Sequence, residues 1–190
     1  MKKLVCIAAL MLVALGSYAQ ENESPFDNLQ IGVTGGVGAT LYKDIFHDIR
    51  FGVPVFIGAN ATLPINGVPG LYVLGEGKLV LRTTGNGYTG RLTNLYLMVP
   101  VRAGYNIPVD DTMQVYIEAG PYVALGLKIS HEVDTHGYYN PFDLGICAHA
   151  GVEINKRYKV GLAVDRGFIS PFRGEHAANH GLWVTFTYLF

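Results

Sequence analysis

From Leu29 onward the chain alternates apolar and polar positions with a period of two, the mark of β-strands with one apolar face. In residues 30–41, Ile31, Val33, Val37, Ala39 and Leu41 share one face, and Gln30, Gly32, Thr34, Gly36, Gly38 and Thr40 share the other. Residues 51–63 put Phe51, Val53, Val55, Ile57, Ala59, Ala61 and Leu63 opposite Gly52, Gly58, Asn60 and Thr62. Residues 71–81 set Leu71, Val73, Leu79 and Leu81 against Glu76 and Lys78. Residues 95–107 set Leu95, Leu97, Val99, Val101, Ala103, Tyr105 and Ile107 against Tyr96, Arg102, Gly104 and Asn106.

The second half repeats the pattern. In 113–129 the apolar row is Val115, Ile117, Val123, Leu125, Leu127 and Ile129, and the opposite row is Gln114, Tyr116, Glu118, Tyr122 and Lys128. In 144–154, Leu144, Ile146, Ala148, Ala150, Val152 and Ile154 face away from His149 and Glu153. In 158–168, Val160, Leu162 and Val164 oppose Asp165, and 182–190 closes the chain with Leu182, Val184, Phe186, Tyr188 and Phe190 on one face. Eight segments result, most of them as long as the 9–11 residues that a tilted strand needs to cross a bilayer.

The connections alternate in length. Those at 42–50, 82–91, 130–141 and 167–180 are long, while those at 64–70, 108–111 and 155–157 are short. Outer-membrane barrels have this rhythm of short periplasmic turns and long external loops. Pro64, Pro69, Pro108, Gly67 and Gly70 supply the turn chemistry. The pattern predicts an all-β fold, an eight-stranded antiparallel up-and-down transmembrane barrel.

Composition sharpens this reading. The chain is 49% hydrophobic with 24 Gly and 12 Tyr, and only 15% of it is charged, against about 25% in an ordinary soluble domain. After the first residues no apolar run reaches the roughly 18 that a spanning helix needs. A barrel is the other structure that satisfies its backbone hydrogen bonds inside lipid. The net charge of −1 argues against an electrostatic nucleic-acid binder.

The N-terminus predicts export. Lys2 and Lys3 precede an apolar stretch over 4–15, and Ser17 and Ala19 put small residues before a cut after Ala19. The expected organisation is a signal peptide over 1–19, a short polar lead-in over 20–28 and a barrel over 29–190. Cys6 leaves with the signal, so Cys147 has no intramolecular partner in the mature chain.

The polar face is too charged for a sandwich core. It carries Glu76, Lys78, Arg82, Arg102, Glu118, Lys128, Glu153 and Asp165, four acids and four bases. An unpaired charge is expensive to bury, so a narrow lumen holding these groups must pair them. Eight strands enclose a space that side chains just fill, which argues against a wide pore.

Five of the six histidines, His47, His131, His136, His176 and His180, fall in the long connections beside Asp44, Asp48, Glu132, Asp134 and Glu175. Such groups ligate transition metals, but no two share a strict spacing motif, so no metal site and no cofactor are assigned.

Four segments resemble the PorT-like (porin-like) outer-membrane β-barrel family. They are NLYLMVPVRAGY at 94–105, EAGPYVALGL at 118–127, FDLGICAHAGVEI at 142–154 and the closing WVTFTYLF at 183–190. The resemblance spans about 30–190. It implies an outer-membrane barrel with no defined activity and no shared catalytic residues. It also implies that the final aromatic, Phe190, is a signal to the barrel-assembly machinery. EHAANHG at 175–181 is similar to the His-x-Ser pair of lipid A deacylases, but Ala178 occupies the nucleophile's place, so no catalytic residue is expected. The expected partners are outer-membrane lipid, the assembly machinery and a protein bound through the external loops. The expected role is structural or loop-mediated, with a narrow channel or a component of a secretion or uptake complex as the alternative.

Overall fold

The computed structural model describes residues 28–43, 49–86, 90–130, 140–170 and 180–190, without the side chains of 41–43, 49–51, 84–86, 90–92 and 128–130. Nine strand segments form one antiparallel sheet: β1 (Gln30–Lys43), β2 (Ile49–Gly52), β3 (Val55–Pro64), β4 (Leu71–Asn86), β5 (Gly90–Pro108), β6 (Met113–Ser130), β7 (Phe142–Ile154), β8 (Tyr158–Gly167) and β9 (His180–Leu189). β9 returns to β1 in ten consecutive pairs from Gly32↔Leu189 to Leu41↔His180, so the sheet closes on itself.

β2 and β3 are one barrel strand. Both pair with β1 in a single register, Thr40↔Gly52 on one side of the break and Val37↔Val55 on the other. The break falls at Val53 and Pro54 because proline has no N–H to donate to the ladder. Pro54 still accepts, through its carbonyl, a 3.0 Å bond from Gly38 N–H. The barrel therefore has eight strands, as the alternation predicts. Pro100 interrupts the β4–β5 ladder in the same way: pairing passes from Gly75↔Val101 to Lys78↔Met98 and skips the residues between.

The two faces separate as the alternation requires. Ile57, Ile117, Leu162 and Val184 are all more than half exposed on the outer wall, whereas Glu76, Arg102, Trp183 and their row-mates are buried inside. Exposed aliphatics on every strand make sense only where the surroundings are hydrocarbon. Among the described residues no helix is long and apolar enough to cross a membrane. The start of β1, the end of β9 and the turns 65–70, 109–112 and 155–157 lie at one end of the barrel, here called the turn end; the opposite end of the strands is the loop end.

Two expectations need correction. The connection expected over 82–91 is largely strand: β4 and β5 stay paired to Asn86↔Gly90. Backbone pairing continues there without an apolar face, so alternation carries no trace of it. The second correction concerns the unbroken alternation expected over 113–129. A register shift between Leu95 and Tyr96 inserts one residue into β6, so that Tyr96 pairs with Gly126 but Leu95 pairs with Lys128. A bulge resets the period-two count.

The interior is assembled from large side chains seated on glycines of strands one or two places away. A Cβ on Gly104 would lie 2.3 Å from the Tyr72 ring. One on Gly161 would lie 2.3 Å from the Tyr116 hydroxyl and 2.9 Å from His149 Nε2. The glycines inside the strands thus permit close approach across a narrow tube.

Candidate functional site: the charged interior

The lumen-facing rows bring acids and bases from five strands, β4 to β8, together. Glu118 on β6 is the hub. Its Oε1 is 3.2 Å from Lys159 Nζ on β8 and accepts a 2.7 Å bond from the Tyr72 hydroxyl on β4. Its Oε2 lies 3.2 Å from Arg102 Nε on β5 and 3.3 Å from His149 Nδ1 on β7. The last two approaches lack hydrogen-bond alignment: the one to Arg102 is an ionic contact, and the one to His149 is ionic when the ring is protonated. Their distances are short enough for strong attraction in a medium with little water.

Chains of contact run both ways from this hub. Toward the turn end, Lys159 reaches Glu153 at 3.6 Å, and Gln114 donates to Glu153 at 2.6 Å. Toward the middle, Arg102 donates to Glu76 Oε2 at 2.7 Å, and Lys78 lies 4.0 Å from the same oxygen. Lys78 also sits 4.7 Å from the centre of the Phe56 ring, a cation–π distance.

An aromatic layer follows. Phe56 meets Trp183 edge-on at 5.3 Å, and the Trp183 indole N–H donates to Asp165. Asp165 in turn accepts a 2.9 Å bond from Arg82. Tyr122 donates to Asp143 at 3.1 Å near the loop end. His149 Nε2 lies 2.9 Å from the Tyr116 hydroxyl and 2.6 Å from Thr185 Oγ1, which fixes the ring between β6 and β9.

Seven of the eight charges read from the sequence have described side chains: Glu76, Lys78, Arg82, Arg102, Glu118, Glu153 and Asp165. All seven are buried in the interior, and each touches an opposite charge. The side chain of Lys128 lies outside the described residues. Lys159, Asp143 and His149 belong to the same interior and were not among the expected eight. Parity could have found them, since Lys159 shares the odd-numbered row of Asp165 and Asp143 shares that of His149 and Glu153. Phe190 stands at the turn end, strongly exposed, with its N–H on Ile31 O at 2.9 Å and its ring edge-on to Tyr188 at 5.4 Å.

Two hollows flank these rows. The one inside, between Arg82, Tyr96, Tyr122 and Asp143, measures about 10 Å³, at the lower limit for one water molecule. The other measures about 500 Å³ and lies on the outer wall, where Ala103, Ala119, Ala148 and Ala150 form a shallow floor between Tyr105 and Leu162. Its walls are apolar and face lipid. Among the described residues no group of His, Cys, Asp and Glu is arranged to hold a metal ion. Of the loop histidines and carboxylates, only His180 is described; the others, with the 175–179 part of the deacylase-like segment, lie outside the described residues.

Comparison with known proteins agrees with the architecture. No curated protein matches the chain. Among solved structures, the outer membrane enzyme PagL superposes with a TM-score of 0.58 at 14% identity, covering 83% of this chain and 98% of that one. Neisserial surface protein A superposes with a TM-score of 0.54 at 11% identity, covering 84% and 97%. At such identities the likeness is one of fold. The sequence profile of the outer membrane protein beta-barrel domain matches residues 18–173. With that match over most of its length, on a closed barrel with a lipid-facing wall, the chain belongs to the outer membrane protein beta-barrel domain family.

Proposed function

We propose that this barrel is closed to solutes by its own side chains, and that it acts as a structural or loop-mediated interaction protein of the outer membrane. One observation supports this above the rest: Glu118 is held by Arg102, Lys159 and Tyr72 from three other strands, so the polar groups of the lumen are spent on one another. The aromatic layer of Phe56 and Trp183 closes what remains of the bore beside them.

On this reading the short turns, the start of β1 and the end of β9 face the periplasm, and the loop end faces outward to offer a binding surface to a protein partner. Residues 1–19 act as a cleaved signal peptide, and Phe190 is the residue that the assembly machinery reads. The PorT-like resemblance of the four quoted segments agrees with this placement. We read the chain as non-enzymatic: likeness to PagL at 14% identity extends to fold alone, and Ala178 stands where a deacylase-like serine would. Lipid A of unchanged mass after incubation with the folded protein is the expected result.

The deciding experiment is conductance of the purified, folded barrel in a planar bilayer. A silent membrane supports the closed lumen. Steady unitary currents would overturn it in favour of the narrow-channel alternative.

A further inference from the structure

The outward row of β8 reads Tyr158, Val160, Leu162, Val164, Arg166 and, just past the strand, Phe168. The neighbouring row on β9 reads, from the same end, Tyr188, Phe186, Val184, Leu182 and His180. Both begin in aromatics that touch: Tyr158 lies 5.5 Å from Tyr188 and 6.3 Å from Phe186. Both end in a nitrogen base, and Arg166 and His180 are direct partners across the β8–β9 ladder.

Arg166 is out of place for a lipid-facing position. Among the described outward-facing side chains of the strands it is the one that carries a full charge. It makes no ion pair among the described residues, and its flanks are apolar and open: Ile146, its partner on β7, is 52% exposed, and Phe168 is 59% exposed. Its height explains why such a charge is tolerated. Arg166 is eight residues beyond Tyr158 (166 − 158), or ~26 Å along the strand. With the usual tilt this is ~20 Å above the aromatics, close to the top of an apolar band ~25 Å tall. The guanidinium therefore meets lipid headgroups, not hydrocarbon.

We propose that Arg166 and His180 form a binding site on the outer wall of the barrel for the phosphate group of a glycolipid in the loop-end leaflet. A guanidinium offers a phosphate two parallel hydrogen bonds, and the adjacent imidazole supplies a third donor when protonated. Val164 and Leu182 lie beneath, and Ile146 beside Arg166, as a landing surface for the acyl chains. The site is independent of whether the lumen conducts.

The test uses folded, full-length protein in detergent and native mass spectrometry. Diphosphorylated lipid A is the probe, with the same lipid after phosphatase treatment and inorganic phosphate as the other arms. The native protein is expected to retain the diphosphorylated lipid and to release the dephosphorylated one. Inorganic phosphate in the millimolar range is expected not to displace it. Arg166→Gln should lower retention about tenfold, with Arg166→Lys falling between because it keeps the charge but loses the paired geometry. Heat-shifted gel migration confirms that each variant is folded. Equal retention by Arg166→Gln, or equal retention of the dephosphorylated lipid, would overturn the proposal. Displacement by inorganic phosphate would overturn it as a lipid site and leave a free-anion site instead.

Discussion

Lys159 Nζ lies 3.2 Å from Glu118 Oε1, although the two residues are 41 positions apart and β7 separates their strands. The contact reaches over β7 through the lumen. It ties together two strands that do not pair, and it makes Glu118 the carboxylate that Arg102 and Lys159 share, beside Glu76 and Glu153.

Removing that carboxylate leaves Arg102 with Glu76 and Lys159 with Glu153, but takes one negative charge out of the buried network. Glu118→Ala is expected to destabilise the barrel by about 3 kcal/mol, the lower end of the cost of breaking a buried pair, since each cation keeps a second acid. The check is the urea midpoint of the heat-shifted gel band. Adding Lys159→Met to Glu118→Gln should recover part of the loss, because it restores the balance of buried charge. If the single Glu118→Ala variant matches the native midpoint, the hub carries no stability.

Gly104 seats the Tyr72 ring, and a Cβ there would come within 2.3 Å of it. Gly104→Val is expected to fold poorly, losing about 1–3 kcal/mol or more as the ring is displaced. Gly104→Val combined with Tyr72→Ala should fold better than Gly104→Val alone, even though the hydrogen bond to Glu118 is lost. Refolding yield into detergent micelles reads the difference.

The lipid-facing wall predicts an asymmetry between adjacent positions on β8. Leu162 is 59% exposed, and in a water-soluble protein an arginine there would be harmless. Near the middle of a bilayer the same change costs about 2–4 kcal/mol. Leu162→Arg should therefore reduce the equilibrium stability of the barrel in vesicles, whereas Leu162→Ile should not. Urea titration of the vesicle-inserted protein gives both values.

Asp110 caps the turn between β5 and β6. Its carboxylate accepts bonds from the Thr112 N–H at 2.7 Å, the Thr112 hydroxyl at 2.8 Å and the Met113 N–H at 2.7 Å. The Thr112 N–H first, then its hydroxyl, hold the Asp110 carboxyl below its ordinary pKa. A depressed folded-state pKa contributes stability that is present above the unfolded value of about 3.9 and is lost as pH falls through the lower, folded value. The Asp110 carboxyl resonance should accordingly titrate below pH 3.9 in the folded barrel. Asp110→Asn should lose the acid-range dependence of this turn and leave the rest of the barrel intact.

The wall was legible in the sequence because the bilayer enforces it. The outward rows between Ile31 and Phe186 face hydrocarbon over most of their length, and a single slip of register would put glutamate into lipid, so the period of two survives in the residues themselves. Four features were not legible. The Val53–Pro54 break and the Leu95/Tyr96 shift are backbone events, and a strand with a bulge looks like an unbroken one until its partner is known. The pairing of the interior charges was hidden as well: Arg102 contacts Glu76 and Glu118 because the tilt of the strands brings those rows to one height, and linear order does not carry tilt. The strand continuations toward Asn86 and Gly90 escaped notice for the opposite reason, since no apolar row marks them.

The unequal strands have a consequence for anything that approaches the cell. The last β6–β7 pair is Leu125↔Phe142, yet β6 runs on to Ser130, five residues or ~16 Å of extra strand beside its continuing partner β5. Among the described strands, β5 and β6 therefore reach furthest at the loop end, while β8 ends at Gly167 and β9 begins at His180. On the proposed orientation, a partner docking there would find a raised rim of paired backbone on the β5–β6 side to lean against.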